Sequence, residues 1–287
     1  MTTSDNSQRF IFEKTDIRGE RVHLESSYQS AILNTTYPDC VQKLLGEALS
    51  AAVLLSSTIK FSGKLILQLQ GNGPITLIVV EADNNRNIRG IIKHQTIADE
   101  LTFQQLVGDA KLVITIEPDE GKRYQGIVPL VGEQLSECLE HYFEQSEQLP
   151  TKIWLAANLE KSAGFLLQKL PESDNTDESK SWEHITIIAK TTTNEELLDL
   201  SNEDFLYRLF HAEEVRLFTP QSIQFQCSCS LERCKGSIIS LGESEINKII
   251  KEQGQVNMTC EFCNSQYHLN QDDLMTLLKE SSENKKR

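Results

Sequence analysis

Hydrophobic residues recur at helical spacing in one long stretch of the chain and alternate, or run on continuously, in most of the others. Val41, Leu44, Leu45, Ala48, Leu49, Ala52 and Val53 follow Pro38-Asp39 at intervals of three and four. The spacing predicts one core helix over 40–59, with Asp39 as its N-cap. Two apolar runs, 64–70 and 75–80, flank Gly71-Asn72-Gly73-Pro74 and predict a β-hairpin around a glycine-rich turn. Further β-like runs lie at 87–93, 111–117, 123–130, 151–157 and 164–168, and an amphipathic helix is expected at 133–145. No internal repeat is visible, nor the strand–helix alternation of a parallel sheet. Residues 1–170 therefore read as an N-terminal mixed α/β domain of the α+β class, with an antiparallel-leaning sheet.

After residue 170 the pattern changes. Pro171-Glu172-Ser173-Asp174-Asn175-Thr176-Asp177-Glu178-Ser179 has too little apolar surface to offset its ordering entropy. Beyond it, Leu197, Leu198, Phe205, Leu206, Leu209 and Phe210 form apolar faces inside acidic sequence, after Asn194 as a candidate N-cap with Glu195 and Glu196 in the first turn. Such faces fold only against a receiving surface. Residues 171–220 thus read as a helical acidic linker, either an ordinary helix pair packed on the N-terminal sheet or a conditional cover. Trp182 and the threonines 191–193 read as packing and capping residues.

From about 221 to 287 the chain predicts a small cysteine domain. Five of the seven cysteines lie between Cys227 and Cys263. Cys227-Ser228-Cys229 and Cys260-Glu261-Phe262-Cys263 are two hooks on either side of a helix-length spacer, in which 243–250 reads as a helix ended by Gly254 and 256–258 as a strand. Two such hooks can bring four thiolates round one ion, and four sulfurs at ~2.3 Å are the tetrahedral set that zinc prefers. One zinc per chain, held by Cys227, Cys229, Cys260 and Cys263, is expected, and a domain this small needs such a staple. Cys234 and His268 are side candidates, read as a non-ligand thiol and a non-ligand imidazole. A tetrathiolate is also open to oxidants, which would remove the ligands and release the ion.

Composition narrows the function classes. With 28 basic and 42 acidic residues in 287 the net charge is −14, which disfavours nucleic acid and anionic membranes as partners. Residues 171–204 alone hold 2 basic and 10 acidic residues, −8 of that total. The polar start and the lack of an apolar run near the ~18 residues of a membrane span point to a cytoplasmic protein, where thiols stay reduced and clustered cysteines indicate metal or redox chemistry. Catalysis finds little support. Gly71-Asn72-Gly73 lacks the third glycine and the following helix of a phosphate loop. Cys138 with His141 and Ser146, and Cys40 at a helix start, read as packed residues rather than a nucleophile and base. The chain is not expected to be an enzyme.

Cys227-Ser228-Cys229-Ser230, Glu232-Arg233-Cys234, Leu241-Gly242, Cys260-Glu261-Phe262-Cys263-Asn264 and Tyr267 together resemble the bacterial 33 kDa chaperonin family of redox-regulated heat-shock chaperones. The likeness extends upstream to 124–128, 146–151 and Arg208-Leu209-Phe210-His211, and so covers nearly the whole chain. The cysteine signature is specific; the upstream matches gain weight from their order. The resemblance implies an ATP-independent holdase, inactive when reduced and zinc-bound. When oxidised it would be zinc-free, partly unfolded, often homodimeric and bound to unfolding client proteins. Cys227, Cys229, Cys260 and Cys263 match the family's zinc ligands one by one, Cys138 and Cys234 sit where members carry non-ligand thiols, and Cys40 maps to no family role. On oxidation the neighbours in sequence, Cys227 with Cys229 and Cys260 with Cys263, are expected to pair. The resemblance also favours the linker as a metastable cover. Two rivals from other classes are a zinc-ribbon nucleic-acid module, disfavoured by the −1 charge of 221–287, and a thiol oxidoreductase.

Overall fold

The computed structural model describes residues 5–284 apart from Asn34, Lys60, Phe61, 98–100 and 172–177. The acidic opening of the linker thus lies largely outside the described residues. The chain divides into two units, Met1–Gln226 and Cys227–Arg287.

The first unit is built on two six-stranded sheets. One takes the order β10-β1-β2-β9-β8, with β11 also on β1, where β1 is Asn6–Phe12, β2 Ile17–Leu24, β8 Thr151–Ala157, β9 Ser162–Lys169, β10 Val215–Leu217 and β11 Gln221–Ser222. The other runs β12-β5-β4-β3-β6-β7, with β3 Gly63–Gly71, β4 Ile75–Asp83, β5 Asn87–His94, β6 Ala110–Pro118, β7 Tyr124–Pro129 and β12 Gln224–Phe225. Every pairing is antiparallel except the two-residue contact of β12 with β5. The fold is α+β with antiparallel sheets, as the strand pattern predicts.

The short helix α1, Ser26–Ile32, precedes the central one, α2, Asp39–Thr58, which packs on strands of both sheets. It is buried along its whole length, from Val41 through Leu44, Leu45 and Ala48 to Leu54 and Leu55. A helix apolar on all sides belongs inside a core. Among the described residues α2 is the one helix long and apolar enough to cross a membrane, more apolar than the sequence reading allowed, yet 72% of its apolar window is buried inside the protein. Its N-cap is Pro38 rather than Asp39, which sits in the first turn where a carboxylate favours the helix dipole.

The remaining elements follow the same logic. In β3, Leu65, Leu67 and Leu69 alternate inward against α2. The turn into β4 needs its glycines for close approach: a Cβ on Gly71 would lie 2.1 Å from the Val107 carbonyl oxygen. That backbone belongs to the end of α3, Phe103–Val107, so the Gly71-Asn72-Gly73 loop is a packed hairpin turn. The helix expected at 133–145 is α4, Leu135–Tyr142, continued by a π-helical turn, Phe143–Glu147.

The first sheet is apolar on both faces. Val22, Leu24 and Leu166 point to the α2 side, while Phe10, Phe12, Ile17, Phe165 and Leu167 point away from it. The outer face is closed by α5, Glu178–Ala189, α6, Asn194–Asp199, and α7, Asn202–Phe210. Leu197, Leu198, Phe205, Leu206, Leu209 and Phe210 are all buried there. The rings of Phe165 and Phe205 meet edge-to-face at 5.1 Å, and those of Phe12 and Phe210 at 4.9 Å. Thr193, not Asn194, caps α6, in a reciprocal capping box with Glu196. Trp182 packs at the margin of this second core.

Beyond the aromatic end of this face the contact becomes polar. Arg21 is 1% exposed and, among the described residues, makes no ion pair, the Glu203 carboxylate acting on it only from a distance; its guanidinium donates to Leu197 O at 2.9 Å, Leu200 O at 2.6 Å and Asn202 Oδ1 at 2.9 Å, and lies over the Phe205 ring. Arg21 Nε and His23 Nδ1 are buried without a hydrogen bond. Each such orphaned group costs about 1–3 kcal/mol. Replacing Phe165 by Ala, which removes the ring at the centre of this aromatic cluster, should destabilise the first unit by about 3–5 kcal/mol, read as a lower denaturant midpoint. An unchanged midpoint would contradict the packing described.

Candidate metal centre

The second unit contains α8, Leu231–Leu241, α9, Glu243–Glu252, the hairpin β13, Val256–Thr259, with β14, Gln266–Leu269, and α10, Gln271–Asn284. Its buried core is five residues, Ile238, Ile246, Leu269, Leu274 and Leu277. So small a core seldom sustains a fold without a staple. Gly254, at φ +69, follows the end of α9, where a left-handed residue terminates a helix.

Two turns deliver the cysteines. Cys227 and Cys229 precede Ser230, whose side chain caps α8 by accepting from Arg233 N, while the Arg233 guanidinium donates to Ser228 Oγ at 2.6 Å. In the second turn Asn264 N donates to Cys260 O at 2.8 Å and Cys260 N to Ser265 O at 2.9 Å. Asn264 adopts φ +57, a left-handed geometry that asparagine tolerates. The turn folds Cys260 and Cys263 toward the first hook. Cys227 Sγ lies 3.6 Å from Cys260 Sγ, Cys229 Sγ lies 3.3 Å from Cys263 Sγ, and all four sulfurs fall within 4.8 Å of one another. Sulfurs at ~2.3 Å from a tetrahedral ion are about 3.8 Å apart, so the arrangement has the spacing of a tetrathiolate shell.

The thiols are electrostatically unequal. Burial pushes Cys227 up to about 12 and also raises Cys260. At Cys263 burial acts in the same upward sense, but hydrogen bonding to the side chain and backbone of Ser265 and to Cys229 and Cys227 outweighs it and holds the thiol down to about 6. The Tyr267 hydroxyl donates to Cys229 Sγ at 3.0 Å. This outer contact was not legible as a site feature, since Tyr267 gains its position only when β14 pairs with β13. The donor set fits a soft, tetrahedral ion, and the four cysteines form a group able to hold metal.

The side candidates lie elsewhere. Cys234 is on α8 outside the four-sulfur group, with its thiol raised by burial. His268 meets Asn257 across the hairpin through Nδ1 at 2.7 Å. Cys138 is 2% exposed and burial pushes its thiol up to about 12, the opposite of an activated nucleophile. His141 lines a cavity of about 580 Å³ with Glu137, Glu140, Lys152 and Trp182, and Ser146 is exposed in the π-helical turn. Cys40 is half-buried in the first turn of α2, packed against the main core.

Fold and site together define a two-sheet α+β protein with a four-cysteine unit able to hold a metal ion. The crystal structure of the 33 kDa chaperonin from Thermotoga maritima matches 97% of this chain with 99% of its own, at a TM-score of 0.84 and 22% identity. The chain belongs to the Hsp33 protein family, whose sequence model matches residues 5–270. It is 44% identical to the 33 kDa chaperonin of Pseudomonas aeruginosa over 283 residues, covering 96% of this chain and 95% of that protein. It is 46% identical to that of Shewanella sediminis over 273 residues, 95% of each. The relatives are chaperonins, and the chain is a chaperone of this family rather than an enzyme.

Reduced protein should carry one metal ion per chain by elemental analysis. Cys260→Ser should lose it and Cys234→Ser keep it; full metal retention in Cys260→Ser would show that the four-sulfur group is not the site.

Proposed function

We propose that the protein is a redox-regulated, ATP-independent holdase whose four cysteines bind zinc when reduced. In that state Cys227, Cys229, Cys260 and Cys263 hold the second unit folded and the chaperone is inactive. Four thiolates can give four electrons to two equivalents of a two-electron oxidant, two per disulfide, and close as Cys227–Cys229 and Cys260–Cys263, leaving Zn²⁺ without ligands. Structural zinc is worth roughly 10–16 kcal/mol, against ~5–15 kcal/mol for a whole small domain. Oxidation then unfolds the unit that the five-residue core cannot sustain.

The observation that carries the reading is the second apolar face of the first sheet, closed mainly by helices from acidic sequence, with Val215 and Leu217 packed at its margin. The chain passes from α7 through β10, β11 and β12 directly into Cys227, so loss of structure beyond Gln226 reaches α7 along one short segment. Arg21 and His23 support a metastable cover, since they are buried beneath α6 and α7 with one ring or guanidinium nitrogen each left without a hydrogen bond, and would gain hydration on opening. The uncovered faces of sheet and helices receive unfolding client proteins, while the acidic charge keeps the opened chain, as monomer or homodimer, dispersed. The setting that keeps such thiols reduced until stress is the cytosol.

Opening the cover without touching a cysteine tests the activating step. Leu206→Asp, which buries a charge under the cover, should suppress light scattering by a heat-denatured client even when reduced and metal-loaded. Wild type should do so only after oxidation. An opened variant with no holdase activity would place the binding surface elsewhere. Peptide mapping of oxidised protein should find the two local disulfides; dominant pairing through Cys40 or Cys138 would contradict the switch.

A further inference from the structure

The segment that leads into the second unit is attached to the first by main-chain hydrogen bonds and by exposed side-chain contacts such as Arg216 with Glu13 and Arg86 with Gln221. Residues 215–217 pair antiparallel with β1, Phe10 opposite Leu217, Ile11 opposite Arg216 and Phe12 opposite Val215, and residues 221–222 pair with Ser7 and Asn6. Main-chain bonds extend this contact along the strand: Glu13 N donates to Glu214 O at 2.8 Å, Phe218 N to Arg9 O at 2.9 Å, and Ile223 N to Asp5 O at 3.0 Å. Within residues 213–226 only Ile223 is buried. Pairings of two and three residues with so few buried side chains lie at the low end of local stability. Once the segment leaves, β1 becomes an edge strand with a row of unpaired backbone groups.

That edge borders the aromatic face. Phe10 and Phe12 lie on β1 beneath α7, and Val215 and Leu217, opposite them, pack against the same cluster. Arg216, between them, is exposed. The present occupant is therefore an extended segment, apolar at alternate positions, held by main-chain hydrogen bonds. Recognition through the backbone tolerates many sequences, while the alternate side chains add contacts to the exposed face.

We propose that the edge of β1 is a client-binding site: in the opened chain an extended client segment, apolar at alternate positions, adds antiparallel to β1 in place of residues 215–218. This rests on the holdase reading above and names how a client is gripped. It commits to an unfolded segment of another protein, with a second copy of residues 215–222 as the competing occupant.

The register supplies a sharp test. Phe218 N points to β1, so strand alternation turns the amides of Arg216 and Phe218 toward it and those of Val215 and Leu217 away. The probe is a capped peptide with the sequence of residues 213–219, added to oxidised full-length protein. It should bind and compete with a denatured client. N-methylation at Arg216 and Phe218 should weaken binding about tenfold or more, as expected for two lost hydrogen bonds, whereas N-methylation at Val215 and Leu217 should change it by less than about threefold. Hydrogen exchange of the β1 amides that face this edge, those of Ser7, Arg9 and Ile11, in the oxidised protein, fast alone and slowed by client, locates the contact.

Equal binding of the two methylated peptides would overturn strand addition, as would an oxidised protein that suppresses aggregation yet ignores the parent peptide. Amides of Ser7, Arg9 and Ile11 that stay protected without client, in an oxidised dimer, would assign the edge to a second copy instead. Failure of oxidised protein to suppress aggregation at all, seen in a separate scattering arm, would strike the holdase reading, while the peptide series still reports on the edge.

Discussion

A β-sheet that is apolar on both faces cannot stand in water with only one of them covered, and the rest of this structure follows from that constraint. The inner face of the first sheet is closed by α2, a helix buried on every side from Ala48 to Leu55 and packed on strands of both sheets. The outer face, with Phe10, Phe12, Ile17, Phe165 and Leu167, is closed by three helices drawn from the most acidic part of the chain. The two closures differ in kind. Around α2 the buried residues are almost all hydrocarbon; under α6 the contact centres on a buried guanidinium that bonds to carbonyls and an amide and, among the described residues, makes no ion pair.

That difference connects the sheet to the cysteines. Among its described residues the second unit has five buried residues and four converging thiols, and on the proposed reading its fold depends on whatever the thiols hold. A ligand set that is itself oxidisable makes that dependence conditional on redox state. Residues 215–226, lying between, are stitched to the edges of both sheets by short pairings, with β10 and β11 on β1 and β12 on β5. In sequence order, these short pairings thus lie between the four-sulfur group and the face that the proposal assigns to clients.

Much of this was legible in the sequence. The periodicity of 41–53 gave α2, the glycine turn gave the β3–β4 hairpin, and the spacing of the cysteines gave the four-sulfur group. The six apolar positions at 197–210 were recognised as faces in need of a receiver, and the structure shows the receiver. What was missed was missed for physical reasons. Strands β1 and β2 carry Gln8, Glu20, Arg21 and His23 at buried positions, so their alternation of polar and apolar residues is scrambled. The helix caps fall one residue earlier than the pattern predicts, at Pro38, which makes no side-chain cap, and at Thr193, where adjacent polar residues compete for the role. Pairings as short as those of β11 and β12 leave no periodic signal.

The central claim is that oxidation removes the cover and spares the body beneath it. Hydrogen exchange resolved along the chain, on reduced and on oxidised full-length protein, tests this most directly. The account predicts that amides of α6 and α7, residues 194–210, are protected when reduced and exchange at nearly unfolded rates when oxidised, while those of α2, residues 39–58, stay protected in both. Helices α6 and α7 that remain protected in an oxidised, active chaperone would contradict it.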